Sequence, residues 1–112
     1  MQAWQEVRDG SARLVDIRPA AQRAVEGEVA AVLDPWIIER NVLEWRLDPR
    51  QEAALPGVTL GDRVIVICQE GYTSSLAADS LRSIGIHAAT DVIGGFAAWR
   101  RLGLPVARLL VA

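Results

Sequence analysis

The stretch Arg63-Val64-Ile65-Val66-Ile67-Cys68-Gln69-Glu70-Gly71-Tyr72-Thr73-Ser74 decides the fold. Its opening run is nearly all β-branched and suits a strand buried on both faces. Cys68 to Thr73 then reads as a loop. From Ser74 to Ile84, Ala77, Leu81 and Ile84 recur at helical spacing, and Gly85 provides a C-terminal stop. A doubly buried strand that feeds directly into a helix is half of a parallel βαβ unit.

The flanking segments repeat the rhythm. Arg13 to Ile17 reads as a strand ended by Pro19, and Ala20 to Glu26 as a helix that runs to Gly27. Val29 to Leu33 is a second apolar run, with Trp36 to Ile38 as its continuation or as a separate strand. Asn41 opens a short helix, with Glu44 placed as in a capping box, and this helix ends before Pro49. The stretch from Asp48 to Asp62 is loose but lies within the domain, since neither half of the chain could bury a core alone. Ala89 to Ile93 reads as a strand, Gly94-Gly95 as a turn, and Phe96 to Leu102 as a last helix stopped by Gly103 and Pro105. Strands alternating with helices predict an α/β domain with a central, mainly parallel sheet. Ligands of such sheets bind at the carboxyl ends of the strands, here just after Ile17, Ile67 and Ile93.

Composition bounds the function. At 112 residues, one domain over 1–112 is expected, and 51% hydrophobic content excludes a disordered chain. Twelve basic residues, all arginine, face 14 acidic ones for a net charge of -2, which argues against a nucleic-acid partner. No apolar run approaches the roughly 18 residues of a membrane span. Met1 to Arg8 is polar and amphipathic, so no secretory signal is expected, and the expected setting is cytoplasmic and reducing. One cysteine excludes an internal disulfide framework and a cysteine-rich zinc site. The lack of lysine removes a Schiff base or lysine phosphate ligand.

Cys68 stands between the strongest strand and a helix. Gly71 lets the loop curl and aim successive amide N–H groups inward, and the helix adds its positive end. Thr73, Ser74 and Ser75 add hydroxyls. Such an anion cradle favours a thiolate, the reactive form of cysteine. The competing reading is a small buried hydrophobe, the usual role of a free cysteine.

Several pieces together resemble a single-domain rhodanese, from about Leu14 to Val106. They are Leu14-Val15-Asp16-Ile17-Arg18-Pro19; Val64-Ile65-Val66-Ile67-Cys68 with Gly71; Ser74-Ser75-Leu76-Ala77-Ala78; and Asp91-Val92-Ile93-Gly94-Gly95-Phe96-Ala97-Ala98-Trp99 with Gly103-Leu104-Pro105-Val106. The resemblance implies a three-layer rhodanese-like domain, its sheet flanked by helices. It implies that Cys68 carries sulfur as a persulfide, taken from thiosulfate or a persulfide donor and passed to cyanide or to a thiol acceptor, small molecule or protein. Gln69, Glu70, Gly71, Tyr72, Thr73, Ser74 and Arg18 would bind substrate, with Asp16 and Trp99 in support. Neither a metal nor another cofactor is implied.

The sequence departs from the family in its charges. Many active members carry an arginine where Thr73 stands, and this loop has Glu70 instead, which would repel anionic donors unless it faces solvent. Arg18, Arg40 and Arg46 are the candidate cations, Arg18 having a structural pair with Asp16 as its alternative role. The family's Gly-His-Ile-Pro-Gly-Ala stretch is here Gly27-Glu28-Val29-Ala30-Ala31-Val32, without its histidine. His87 falls at the amino end of a strand, away from the ligand edge. Trp4 would dock an N-terminal helix, and Tyr72 is the aromatic best placed to touch substrate. Two alternatives stand beside sulfur transfer. One is a non-catalytic rhodanese-like module whose loop binds an anion or partner. The other is a cysteine phosphatase or arsenate reductase on a related fold, which needs arginine six positions after its cysteine, where this chain has Ser74.

Overall fold

The computed structural model describes residues 2–107. Four strands, β1 (Arg13–Asp16), β2 (Trp36–Ile37), β3 (Val64–Ile67) and β4 (Thr90–Asp91), form a parallel sheet in the order β2-β1-β3-β4. Around it lie α1 (Gln2–Arg8), α2 (Ala20–Glu26), α3 (Leu43–Leu47), α4 (Tyr72–Ser83) and α5 (Gly95–Arg101). All four residues of β3 are buried. Each such aliphatic side chain contributes about 1.5–3 kcal/mol on burial, which makes β3 the anchor of the sheet.

Strand alternation then builds two cores. Val64, Val66 and Cys68 face Val15, Ile17, Leu43, Leu47, Ala77 and Leu81 on the α3–α4 side. Ile65 and Ile67, with Leu14, face Val7, Phe96 and Trp99 on the α1–α5 side. This is the predicted α/β, three-layer arrangement. It also sets the direction of Cys68, whose side chain turns toward α4. Trp99 is fully buried. Its indole N–H donates to the Pro105 carbonyl at 2.8 Å, and Trp4 meets it edge-on at 5.9 Å, docking α1.

Four local expectations give way. Val29 to Leu33 is not a strand: Val29 makes one antiparallel bridge to Val106, and Ala31–Leu33 is a 3-10 turn. The place beside β1 is taken by β2. Asn41 does not cap α3; it sits inside a 3-10 turn, Arg40–Val42, and is exposed. The Glu44 carboxylate reaches sideways instead, accepting from Arg40 at 2.8 Å and from the Ser80 hydroxyl at 2.7 Å, which ties α3 to α4. Burial opposes the charge on Glu44, yet these donors outweigh it and hold the carboxyl below its ordinary range. The last strand is shorter than Ala89 to Ile93, because the Gly95 N–H bonds the Val92 carbonyl and turns the chain at once. Finally, α4 begins at Tyr72 rather than Ser74, since Gly71 at φ 96° completes the turn early. Among the described residues no helix is long and apolar enough to cross a membrane.

Candidate active site

Cys68 comes directly after β3 at the carboxyl edge of the sheet and is 7% exposed. The backbone N–H of Gly71 donates to its sulfur at 3.2 Å, and that of Ser74 at 3.3 Å. The thiol meets the Ser74 hydroxyl at 3.2 Å. Three groups from a single turn of chain therefore converge on one sulfur. The two backbone N–H donors, fixed in this way, stabilise negative charge on the sulfur without reorganising. A small buried hydrophobe would not need these donors.

The loop is held from behind by α5. The Phe96 N–H donates to the Cys68 carbonyl at 2.7 Å, and the Ala97 N–H to the Gln69 carbonyl at 2.9 Å. In a planar trans peptide the C=O and the next residue's N–H point opposite ways. With these carbonyls committed to α5, the N–H groups of Gln69 and Glu70 are turned away from it. The approach requires Gly95. A Cβ there would lie 2.4 Å from the Cys68 oxygen and 2.6 Å from the Gln69 oxygen. Gly71 is constrained in the same place, its would-be Cβ 3.0 Å from the Gly94 nitrogen.

The other predicted site residues divide. Gln69 is half-buried, and its Oε1 has no hydrogen-bond partner. Glu70, Tyr72 and Thr73 are exposed, Tyr72 at the first turn of α4. Glu70 therefore faces solvent rather than the sulfur. The Ser75 hydroxyl donates to the Tyr72 carbonyl, which leaves Ser74 as the one hydroxyl on the sulfur. Ser74 is fully buried.

Arg18 takes its structural role. It is 1% exposed, and its guanidinium grips Asp16 at 2.7–3.2 Å and Glu26 at 3.2 Å while stacking 4.1 Å above Phe96. Burial disfavours its charge, but Asp16 and Glu26 more than compensate and raise its affinity for the proton. Arg40 is engaged by Glu44 and Arg46 by the Ala53 carbonyl. Among the described residues no guanidinium bonds the residue 68–74 loop. His87 is exposed before β4, as expected.

Asp91 is the residue that sequence reasoning missed. It ends β4, one strand over from Cys68, and its Oδ2 accepts from the Ser74 hydroxyl at 3.1 Å. The ligand-edge rule would have found it with the right strand boundary: the expected end at Ile93 lies two residues beyond the true one.

The rhodanese-like domain profile matches residues 2–102. A maize protein named adenylyltransferase and sulfurtransferase MOCS3-1 is 35% identical over 88 residues, 79% of this chain but 18% of that protein. The chain thus corresponds to less than a fifth of that relative's length. A Rhodopseudomonas palustris protein of unknown function, described as a possible tyrosine phosphatase, superposes with a TM-score of 0.81 at 27% identity, over 94% of this chain and 79% of that one. The human single-domain sulfurtransferase TSTD1 superposes with a TM-score of 0.74 at 24% identity, over 89% and 90% of the two chains, a likeness of fold. The chain belongs to the rhodanese-like domain family.

Proposed function

We propose that the protein is a sulfurtransferase in which Cys68 carries sulfane sulfur as a persulfide. The Cys68 thiolate attacks the outer sulfur of the donor. One S–S bond forms as another breaks, and the donor's remainder leaves with the electron pair, as sulfite from thiosulfate or as a thiolate from a persulfide. An acceptor thiolate or cyanide then attacks the outer sulfur and releases Cys68 as thiolate. The observation that carries this reading is the sulfur itself, at the carboxyl end of β3 with two backbone N–H donors aimed at it. No second cysteine exists to resolve the persulfide internally, so the sulfur passes to an external acceptor, a small thiol or a protein. The free thiol suits a reducing, cytoplasmic setting.

A second reading, a binding module without turnover, is favoured by one feature: the loop from 68 to 74 has no basic residue. Intact-mass measurement separates the two. The protein is incubated with thiosulfate and, separately, with a low-molecular-weight persulfide. Gain of the mass of one sulfur atom, absent in Cys68→Ala, is the expected result. No adduct from either donor leaves the binding module standing.

A further inference from the structure

A hydrogen-bond chain leads away from the sulfur, and sulfur transfer as such does not use its far end. The Cys68 thiol donates to Ser74 Oγ at 3.2 Å, and the Ser74 hydroxyl donates to Asp91 Oδ2 at 3.1 Å. A hydroxyl has a single proton to give. With that proton directed at Asp91, Ser74 offers the sulfur only a lone pair. It can accept from a thiol in this state, but it cannot donate to a thiolate. Ser74 is fully buried, so bulk water does not supply a second donor at that oxygen. For Ser74 to support an anionic sulfur, the chain must reverse.

We propose that Asp91 is a positioning residue that receives the Cys68 proton through Ser74 when the sulfur becomes a nucleophile. In this step the S–H proton passes to Ser74 Oγ as the Ser74 proton passes to Asp91 Oδ2. One S–H and one O–H bond break, two O–H bonds form, and nothing is oxidised or reduced. The products are a Cys68 thiolate, a serine hydroxyl now donating to it, and a neutral Asp91 carboxyl. The negative charge moves from carboxylate to sulfur, and the local total is unchanged. This accounts for a loop that holds no basic residue: the charge arriving on the sulfur is balanced by the charge leaving Asp91. At the sulfur it meets the N–H groups of Gly71 and Ser74 as well as the reversed hydroxyl.

The surroundings suit this route. Asp91 is half-buried and lines a hollow of about 200 Å³ with Glu6, Arg63, Thr90 and Ile93. None of the residues lining that hollow belongs to the Cys68 loop, so the hollow opens on Asp91 from the side away from the sulfur. Of the charged groups nearby, Arg82 of α4 donates to the Ala89 carbonyl just before β4 and pairs with Asp79. Glu6 of α1 and Arg63 pair at 3.3 Å across the hollow. Glu70 on the loop is exposed. Asp16 at the end of β1, Arg18 just after it and Glu26 at the end of α2 are paired with one another. From α4 the group that faces the sulfur is Ser74 itself, and α5 brings Phe96 and Ala97, which do not titrate.

The inference rests on Cys68 as the nucleophile, and its test needs no sulfur donor. Cys68 is the only cysteine, so its alkylation by neutral iodoacetamide can be tracked by intact mass across pH. Asp91→Asn keeps an acceptor oxygen and removes the proton sink. The expected result is a pH midpoint higher by about one unit and a neutral-pH rate about tenfold lower. A carboxylate that is merely a neighbour predicts the opposite, because removing its negative charge eases thiolate formation. An unchanged or lowered midpoint overturns the proposal. Ser74→Ala cuts the same chain with Asp91 still charged and must also raise the midpoint; no rise there overturns it equally. The double variant should match the single ones, and additive effects would show two independent contributions instead of one chain. Thermal melts establish that each variant is folded. A protein that shows these shifts yet takes up no sulfur loses the sulfur-carrier reading and keeps this one.

Discussion

Two neighbouring strands end at the same edge of the sheet, with Asp16 of β1 in register with Ile67 of β3. Their carboxyl ends are built in opposite ways. After β1, Asp16 and Arg18 are both 1% exposed, and Glu26 completes a network in which three guanidinium nitrogens are engaged by carboxylates. After β3, Cys68 is held mainly by backbone, through two amide N–H donors and one hydroxyl, with no side-chain cation. The first end is charge-dense and saturated. The second is charge-poor and keeps its donors for an anion that the sulfur can become. The charged end is thus the inert one. A buried ion pair whose three guanidinium nitrogens are all engaged by carboxylates has little left to offer a substrate, whereas oriented amides do.

The sharpest way to break this contrast is to remove the cation from the saturated end. Arg18→Met leaves Asp16 buried, with the backbone N–H of residue 18 still donating to it and the guanidinium gone. Stranding a buried charge costs about 3–5 kcal/mol. We expect the urea midpoint to fall accordingly. The rate of Cys68 alkylation in the protein that remains folded should stay within about twofold, the scale of a small indirect perturbation. If stability holds and thiosulfate uptake collapses instead, Arg18 serves the sulfur and the two ends are not separate.

The reactive end is attacked from behind at Gly95. Gly95→Ala drives a methyl group into the Cys68 and Gln69 carbonyls at a position where φ is +63°. Overpacking of backbone with added torsional strain should cost about 2–4 kcal/mol. Because those carbonyls orient the loop, Cys68 alkylation should slow as well. Gly103→Ala is the control: φ is +73° there but nothing lies within 4 Å, so only the conformational cost of about 1 kcal/mol is expected, with no change at the sulfur. Equal melting points for the two variants would show that α5 does not brace the loop.

The contrast between the ends also marks what could be read from the chain alone. β3, its helix and Cys68 were legible because a β-branched run, a glycine turn and then an apolar helical spacing are local information. The parallel sheet was legible in the alternation of elements. Asp91 was not legible, because its partner Ser74 is 17 residues away and its position depends on where β4 stops. That stopping point is set by the Gly95–Val92 hydrogen bond, not by residue propensities within Ala89 to Ile93. Arg18 was half-legible: Asp16 two residues before it suggested a pair, but Glu26 and the Phe96 ring, which complete its burial, come from other turns of the fold. Glu44 looked like a capping residue because spacing fits a box, and only the approach of α4 brings Ser80 to claim it.

The smallest expected effect concerns the charge at the mouth of the reactive end. Glu70 is exposed, so water and salt screen it from the sulfur, and it does not share the fate of a buried carboxylate. Its negative charge still acts on a donor approaching through solvent, and it acts by sign. For thiosulfate, Glu70→Gln should raise the rate of sulfur uptake about two- to fivefold at low ionic strength, the range of an exposed charge pair. At about 0.15 M salt, where the screening length is about 8 Å, most of that gain should disappear. For an uncharged donor the same substitution should change nothing at either salt concentration. The alkylation rate with neutral iodoacetamide supplies the baseline, since it senses the thiolate but not the charge of the approaching reagent. A change in that baseline on removing Glu70 would mean that the side chain reaches the sulfur directly. The reactive end would then depend on a side-chain charge after all, as β1 does.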